Sequence, residues 1–202
     1  MNMMDKDLEN IIKIKLGISD DGDIPDEYIS KLIEIYVRGK TFAGRERKIN
    51  LLELKKFPYL RRIELSDFVI DDSIVEMLNS YALMESLKLS SCNISSKTSL
   101  NSASLKKLKL YYCNVRDYSI INGVESLHIV GDKNFMLDQI LGKERIKRLT
   151  VQDSKIKGFT TIDSCTNLET LSLEGAIVDD KQALNDIKGV DVKIESEYKP
   201  MR

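Results

Sequence analysis

Met84-Glu-Ser-Leu87-Lys-Leu89-Ser-Ser-Cys92-Asn93-Ile94 is followed 21 residues later by Leu105-Lys-Lys-Leu108-Lys-Leu110-Tyr-Tyr-Cys113-Asn114-Val115. Both read as an aliphatic, two residues, an aliphatic, one residue and a third aliphatic. The phrase recurs at Leu60/Ile63/Leu65, Val124/Leu127/Ile129, Ile146/Leu149/Val151 and Leu168/Leu171/Leu173. Less regular copies stand at Leu32/Ile35/Val37 and Ile187/Val190/Val192. First residues of these eight phrases are separated by 28, 24, 21, 19, 22, 22 and 19 residues. Self-similarity near this period marks a solenoid, whose small units bury their aliphatic teeth only against their neighbours. The pattern predicts α/β architecture: short parallel strands on one side, return segments on the other, wound as a right-handed ribbon. A doubly wound sheet is the competing fold, but its crossovers need about 25 to 30 residues and the spacing here falls to 19.

The remaining sequence supplies an end cover and the returns. Leu8, Ile11, Ile12 and Leu16 follow helical spacing, so residues 5–16 read as an amphipathic helix that ends at Gly17. Pro25 fits the first turn of a second short helix through Ser30, with Asp26 and Glu27 near its positive end. A stack of repeats exposes its interior at its ends, so residues 1–31 are read as a helical cap. Residues 32–194 then hold about eight repeats, and 195–202 form a tail. Residues 50–57, 72–81, 134–142 and 180–187 have helical spacing, and the first of these accounts for the long opening interval. Residues 95–104 and 157–166, rich in Ser, Thr and Lys, read as tight turns.

Composition narrows the class. Hydrophobic residues make up 42% and charged residues 31% of the 202-residue chain, which is globular composition. The 31 basic and 32 acidic residues leave a formal charge of -1, giving no global electrostatic case for nucleic acid or an anionic membrane. No apolar run reaches the ~18 residues of a membrane span, and the polar, acidic start lacks the order of a secretory signal. Three cysteines do not make a disulfide framework. A cytoplasmic location is the expectation.

The repeats at 84–94 and 105–115 resemble leucine-rich repeats, and the resemblance extends over residues 32–194. The run from Leu8 to Pro25 is similar to the helical cap that precedes such repeats in bacterial internalin-like proteins. The resemblance implies a curved solenoid with a parallel sheet on its concave side, used mostly to recognise proteins. The chain departs from the family at the ladder Asn after the third aliphatic, which is replaced by Phe68, Cys92, Cys113, Asp132, Ser154 and Ala176.

Outward residues of such strands line the concave face. Down the stack the central outward position reads Tyr36, Glu64, Lys88, Lys109, His128, Thr150, Ser172 and Asp191. The next reads Arg38, Ser66, Ser90, Tyr111, Val130, Gln152 and Glu174. Lys88, Lys107, Lys109, Tyr111, Tyr112 and His128 are therefore expected to form one patch, with Tyr36 on the same face in front. Cations joined to amphipathic aromatics suit an acidic segment of a protein partner. The alternative is a solvated strand face whose Lys and Tyr keep the sheet soluble.

Other chemistry finds little support. His128 is the sole His, faces away from the inward-turning Cys92 and Cys113, and lacks the three or four ligands a zinc site requires. Those cysteines are expected to stack as reduced, buried thiols, and Cys165 has no visible partner. Asp20, Asp21, Asp23, Asp26 and Glu27 lack the alternating order of a calcium loop and suit turn and helix-start duties. There is no phosphate loop, nucleophile elbow or paired metal-binding His motif. The expectation is a non-enzymatic protein-protein interaction module without cofactor, binding through its concave face. An inhibitory or regulatory protein, neutralising a toxin or governing an enzyme, would use the same surface. Oligomeric state is not legible.

Overall fold

The computed structural model describes residues 4–19, 23–41, 43–133, 135–140, 145–158, 166–178, 182 and 189–195. The chain opens with α1 (Lys6–Leu16), α2 (Asp26–Ile29) and β1 (Glu34–Arg38). Next come β2 (Arg62–Ser66), β3 (Val69–Ile70), α3 (Asp72–Asn79), β4 (Ser86–Ser90) and β5 (Asn93–Ile94). The middle holds β6 (Lys107–Tyr111), β7 (Asn114–Val115), β8 (Ser126–Val130) and β9 (Phe135–Met136). The rear holds β10 (Arg148–Gln152), β11 (Lys155–Lys157), β12 (Thr170–Glu174), β13 (Ile177–Val178) and β14 (Asp191–Glu195).

Eight strands form one parallel sheet in the order β1-β2-β4-β6-β8-β10-β12-β14. Neighbours in the sheet are successive repeats. The first aliphatic of each strand stands in register with the next: Ile35, Ile63, Leu87, Leu108, Leu127, Leu149, Leu171 and Val192. The second row runs Val37, Leu65, Leu89, Leu110, Ile129, Val151, Leu173 and Ile194 in the same pairings. From Ile35 to Leu173 these teeth are buried in one continuous core. On the return side, β3-β5-β7 and β9-β11-β13 form two small parallel sheets.

After each strand of the eight-stranded sheet from β2 to β12 the chain turns through a left-handed residue. Asp67, Ser91, Tyr112, Gly131, Asp153 and Gly175 have φ of 63, 52, 53, 74, 48 and 59°. Size alternates between coils at this turn. A Cβ on Gly131 would overlap the Tyr112 ring, and one on Gly175 would press the Asp153 carboxylate. The residue that follows points inward, where the family ladder would place Asn. Cys92 and Cys113 donate to the carbonyls of Leu65 and Leu89 at 3.6 and 3.3 Å, so thiols satisfy backbone groups inside the stack. Ser154 donates to Gln152 at 2.7 Å and receives the Asp132 amide at 2.9 Å.

The residue before each strand carries alternating charge: Arg61, Glu85, Lys106, Glu125, Lys147 and Glu169. Arg61 meets Glu85 and Lys147 meets Glu169, both at 3.4 Å, while Arg145 lies 3.8 Å from Glu125. Each exposed pair contributes only a few tenths of a kcal/mol to about 1 kcal/mol. Their larger consequence is that this edge of the sheet is neutralised from within.

At the front, Asp5 caps α1 by accepting the Asp7 and Leu8 amides at 3.0 and 3.1 Å, and Gly17 ends it at φ 69°. Leu8 and Ile12 are fully buried in the same core as the strands, with Ile11 and Leu16 partly buried against it. Lys15 reaches Glu34 at 2.5 Å.

Several sequence expectations shift. The return at 50–57 is tighter than α-helix, a 3-10 turn over Leu51–Lys56. The described part of the return at 134–142 holds a 3-10 turn over Leu137–Ile140, residues 134, 141 and 142 lying outside the described residues. Residues 72–81 do form an α-helix, α3. The long first interval also holds a hairpin at residues 39–48, which has no counterpart in the aliphatic phrase. The last coil is displaced by two residues: Lys193, not Asp191, stands beside Ser172. Val190, Val192 and Ile194 alternate with period two, so a two-residue slip keeps every aliphatic inward and the pattern cannot fix the register. The expected returns at 180–187 and most of 157–166, Cys165, Asp20, Asp21 and the tail beyond residue 195 lie outside the described residues.

Candidate functional site

The register places side chains that are distant in sequence on one sheet face. Its central row is Tyr36, Glu64, Lys88, Lys109, His128, Thr150, Ser172 and Lys193. Lys107 begins β6 and Tyr111 ends it, so both share the face with Lys109. Strand neighbours are about 4.8 Å apart, which brings their side chains into contact.

The middle of this face is a connected cluster. Lys88 Nζ lies 2.6 Å from Glu64 and 5.1 Å from the centre of the Tyr111 ring. Tyr111 in turn meets His128 edge-on, with ring centres 5.3 Å apart at 73°, and its hydroxyl is 3.5 Å from Nδ1. The His128 Nε2 atom is buried without a hydrogen bond of normal geometry. Burial, and then the neighbouring Lys109 charge, lower the His128 pKa against the opposing influence of Glu174 and Gln152. The imidazole is therefore neutral at pH 7, and Lys109 carries the charge at this point.

Charge pairing divides the face. In front, Glu34 is held between Lys15 and Arg62 at 2.5 and 3.2 Å, and Arg38 binds Asp67 at 2.9 Å. The Lys15 hydrogen bond, with both cations, lowers the Glu34 pKa. Among the described residues, Lys107, Lys109 and Arg148 form no ion pair. Unneutralised positive charge thus gathers on β6 and β10, beside Tyr111 and His128. A shallow cavity of about 290 Å³ leads from Lys15 and Tyr36 past Arg62, Glu64 and Lys88 to Lys109.

Tyr112 does not join this cluster. Its left-handed backbone swings the ring out of the sheet face and over Gly131 at the turn, where it is 63% exposed. Alternation along a strand assigned it to the patch only by adjacency to Tyr111. Tyr36 stays on the face, 51% exposed, at the far end of the cavity. Arg148 was missed by the sequence reading. Its position, one before Leu149, matches that of Lys107 before Leu108, so aligning the phrases reveals it.

No group of three His, Cys, Asp or Glu side chains among the described residues is arranged to hold a metal. No helix among them is long and apolar enough to cross a membrane. Over 95% of its length the chain matches the crystal structure of an internalin (inlF) from Listeria monocytogenes, with a TM-score of 0.65 and 19% identity. The fold is a leucine-rich-repeat solenoid. The chain spans 56% of that internalin. It also matches internalin C2 of the same species with a TM-score of 0.61 and 16% identity, covering 93% of this chain and 92% of that one. No protein-family model matches the sequence, and no curated protein does. In the solenoid the eight-stranded parallel sheet is the concave side, so the Lys109 cluster and its cavity lie inside the trough.

Proposed function

We propose that this solenoid is a protein-binding module whose concave face receives an acidic segment of its partner. The observation that carries the reading is the set of unpaired cations, Lys107, Lys109 and Arg148, beside the linked Tyr111 and His128 rings. In front, the cations Arg38, Arg62 and Lys88 are already paired with Asp67, Glu34 and Glu64. At the rear Glu174 is the exception, a carboxylate held, among the described residues, only by the Ser172 hydroxyl. An incoming carboxylate gains Lys109 without first breaking an ion pair, while Tyr111 offers apolar area at small entropic cost. Lys88, Tyr36 and Lys107 flank the contact. Residues 1–31 serve as the cap and 32–194 as the repeats. The trough is open and its neutral, half-buried His128 is flanked by Lys109 and Tyr111 with, among the described residues, no enclosed pocket of convergent polar groups around them, which favours binding over catalysis.

Partners captured by the chain in pull-downs from its source cells provide the test. Replacing Lys109 and Tyr111 together by Ala is expected to weaken the best of them at least tenfold in Kd, about 1.4 kcal/mol, measured by titration calorimetry. Lys193→Ala, in the same row but four strands from Lys109, is expected to leave Kd within twofold. Equal affinities for the double variant and the parent chain would remove the concave cluster from the binding site.

A further inference from the structure

We propose that the hairpin at residues 39–48 is a second docking element, built to meet an acidic surface on a protein. It is independent of what the concave face binds.

The hairpin is a fixed projection. Gly39 donates to Ser66 at 2.8 Å, and a Cβ at Gly39 would overlap the Asp67 carbonyl, so the base is seated directly on the next coil. Arg47 N–H donates to Gly39 at 2.7 Å, and Thr41 donates to Arg45 at 2.8 Å. Lys40 and Glu46 pair antiparallel between these bonds. The turn closes with Gly44, at φ 77°, donating to Thr41 at 2.9 Å.

The stack itself has no need of it. Another coil closes in 19 residues, against 28 for this one. Between Val37 and Leu51 no described side chain belongs to the fully buried core, and only Ile49 packs partly against it. A two-stranded hairpin without a packed face is marginal alone. The segment is therefore seated at its base, with Lys40, Thr41 and Arg47 half-buried and residues 43–46 and Lys48 exposed.

Its charge is concentrated and unanswered. Lys40, Arg45, Arg47 and Lys48 oppose only Glu46, a net +3 in a chain whose formal charge is -1. None of the four cations forms an ion pair among the described residues. On the neighbouring strands of the sheet, cations are paired in Arg38–Asp67, Arg62–Glu34 and Lys88–Glu64. Those pairs separate the hairpin from the unpaired cations on β6 by three strands, about 14 Å. A nucleic-acid backbone calls for a continuous basic track. An isolated cationic finger fits a local acidic patch on a folded protein.

The test uses the full chain labelled with ¹⁵N, titrated at low ionic strength with a short alternating Glu-Ala peptide. Oligothymidylate and phosphatidylserine vesicles of matched charge are run in parallel. The peptide is expected to shift the amides of residues 40, 41 and 43–48. The triple variant Arg45→Glu, Arg47→Glu, Lys48→Glu should weaken this response at least tenfold while its thermal midpoint stays within a few degrees, since none of these side chains belongs to the buried core. Peptide shifts confined to the concave strands would overturn the hairpin proposal and leave the concave reading intact. A hairpin response stronger to oligothymidylate or vesicles than to the peptide would overturn it in favour of that other surface. Hairpin shifts that vanish in the triple variant but persist in the Lys109→Ala, Tyr111→Ala variant would establish it separately.

Discussion

Deleting residues 1–31 is expected to abolish the cooperative thermal transition of the chain and drive it into aggregates. Leu8 and Ile12 are 0% exposed, and they cover the edge coil at β1. Burying each stabilises by roughly 1.5–3 kcal/mol, and Ile11 and Leu16 add partial contributions. The total, about 5 kcal/mol, rivals the whole stability of a typical domain at ~5–15 kcal/mol. Deletion also removes the Asp5 amide's bond to Glu53 at 2.9 Å and the Lys15–Glu34 bridge, and bares the aliphatic teeth of the first coil. Circular dichroism on heating, with size-exclusion chromatography, reads both effects. Ile12→Asp in the full chain isolates the apolar contact and should reproduce most of the loss. A truncated chain that stays monomeric and melts sharply would show that the helices do not close the stack.

Leu108→Ala should cost about 2–5 kcal/mol, towards the upper end of that range. Leu108 is 1% exposed and stands in register with Leu87 on one side and Leu127 on the other. An apolar void of about 20 Å³ already lies against Leu87, Leu108 and Leu110. Removing the isobutyl group enlarges it, and coils fixed by their own ladders on both sides have little freedom to collapse. In a one-dimensional stack the loss falls on a neighbour interface, so the two halves are also expected to uncouple and the urea transition to broaden. Lys107→Ala, next along β6 but exposed, should change stability by less than about 0.5 kcal/mol. A Leu108→Ala cost under ~1 kcal/mol would mean that the phrase is not packed tooth against tooth.

The legible part of this molecule is what repeats. Wherever the three aliphatics are separated by charged or small residues, as at 84–89, only one register buries all three, and the strand, its face and its neighbours follow. The last coil escaped because Val190, Val192 and Ile194 offer two registers of equal burial. The hairpin escaped because Lys40 to Lys48 carries no apolar period; its geometry rests on backbone pairing and on the absence of a Cβ at Gly39. Tyr112 was misplaced because a single left-handed residue breaks the strand alternation that put it beside Tyr111. The alternating charges from Arg61 to Glu169 were present in the repeats and emerge once the phrases are stacked. Pairing states, by contrast, are three-dimensional. That Lys88 is neutralised by Glu64 while Lys109 is not depends on which side chain leans across the strand gap, and spacing does not encode it.

Distances along the central row test the stacked architecture most directly. Spin labels would be placed at Tyr36 and, in turn, at His128, Thr150, Ser172 and Lys193, in a background whose three cysteines are alanine. These positions lie four, five, six and seven strands from β1. The expected separations rise steadily by about 4–5 Å per strand, from near 19 Å towards 34 Å. A sequence of distances that climbs and then falls, as a sheet whose strand order reverses would give, would contradict the solenoid and dissolve the concave trough with it.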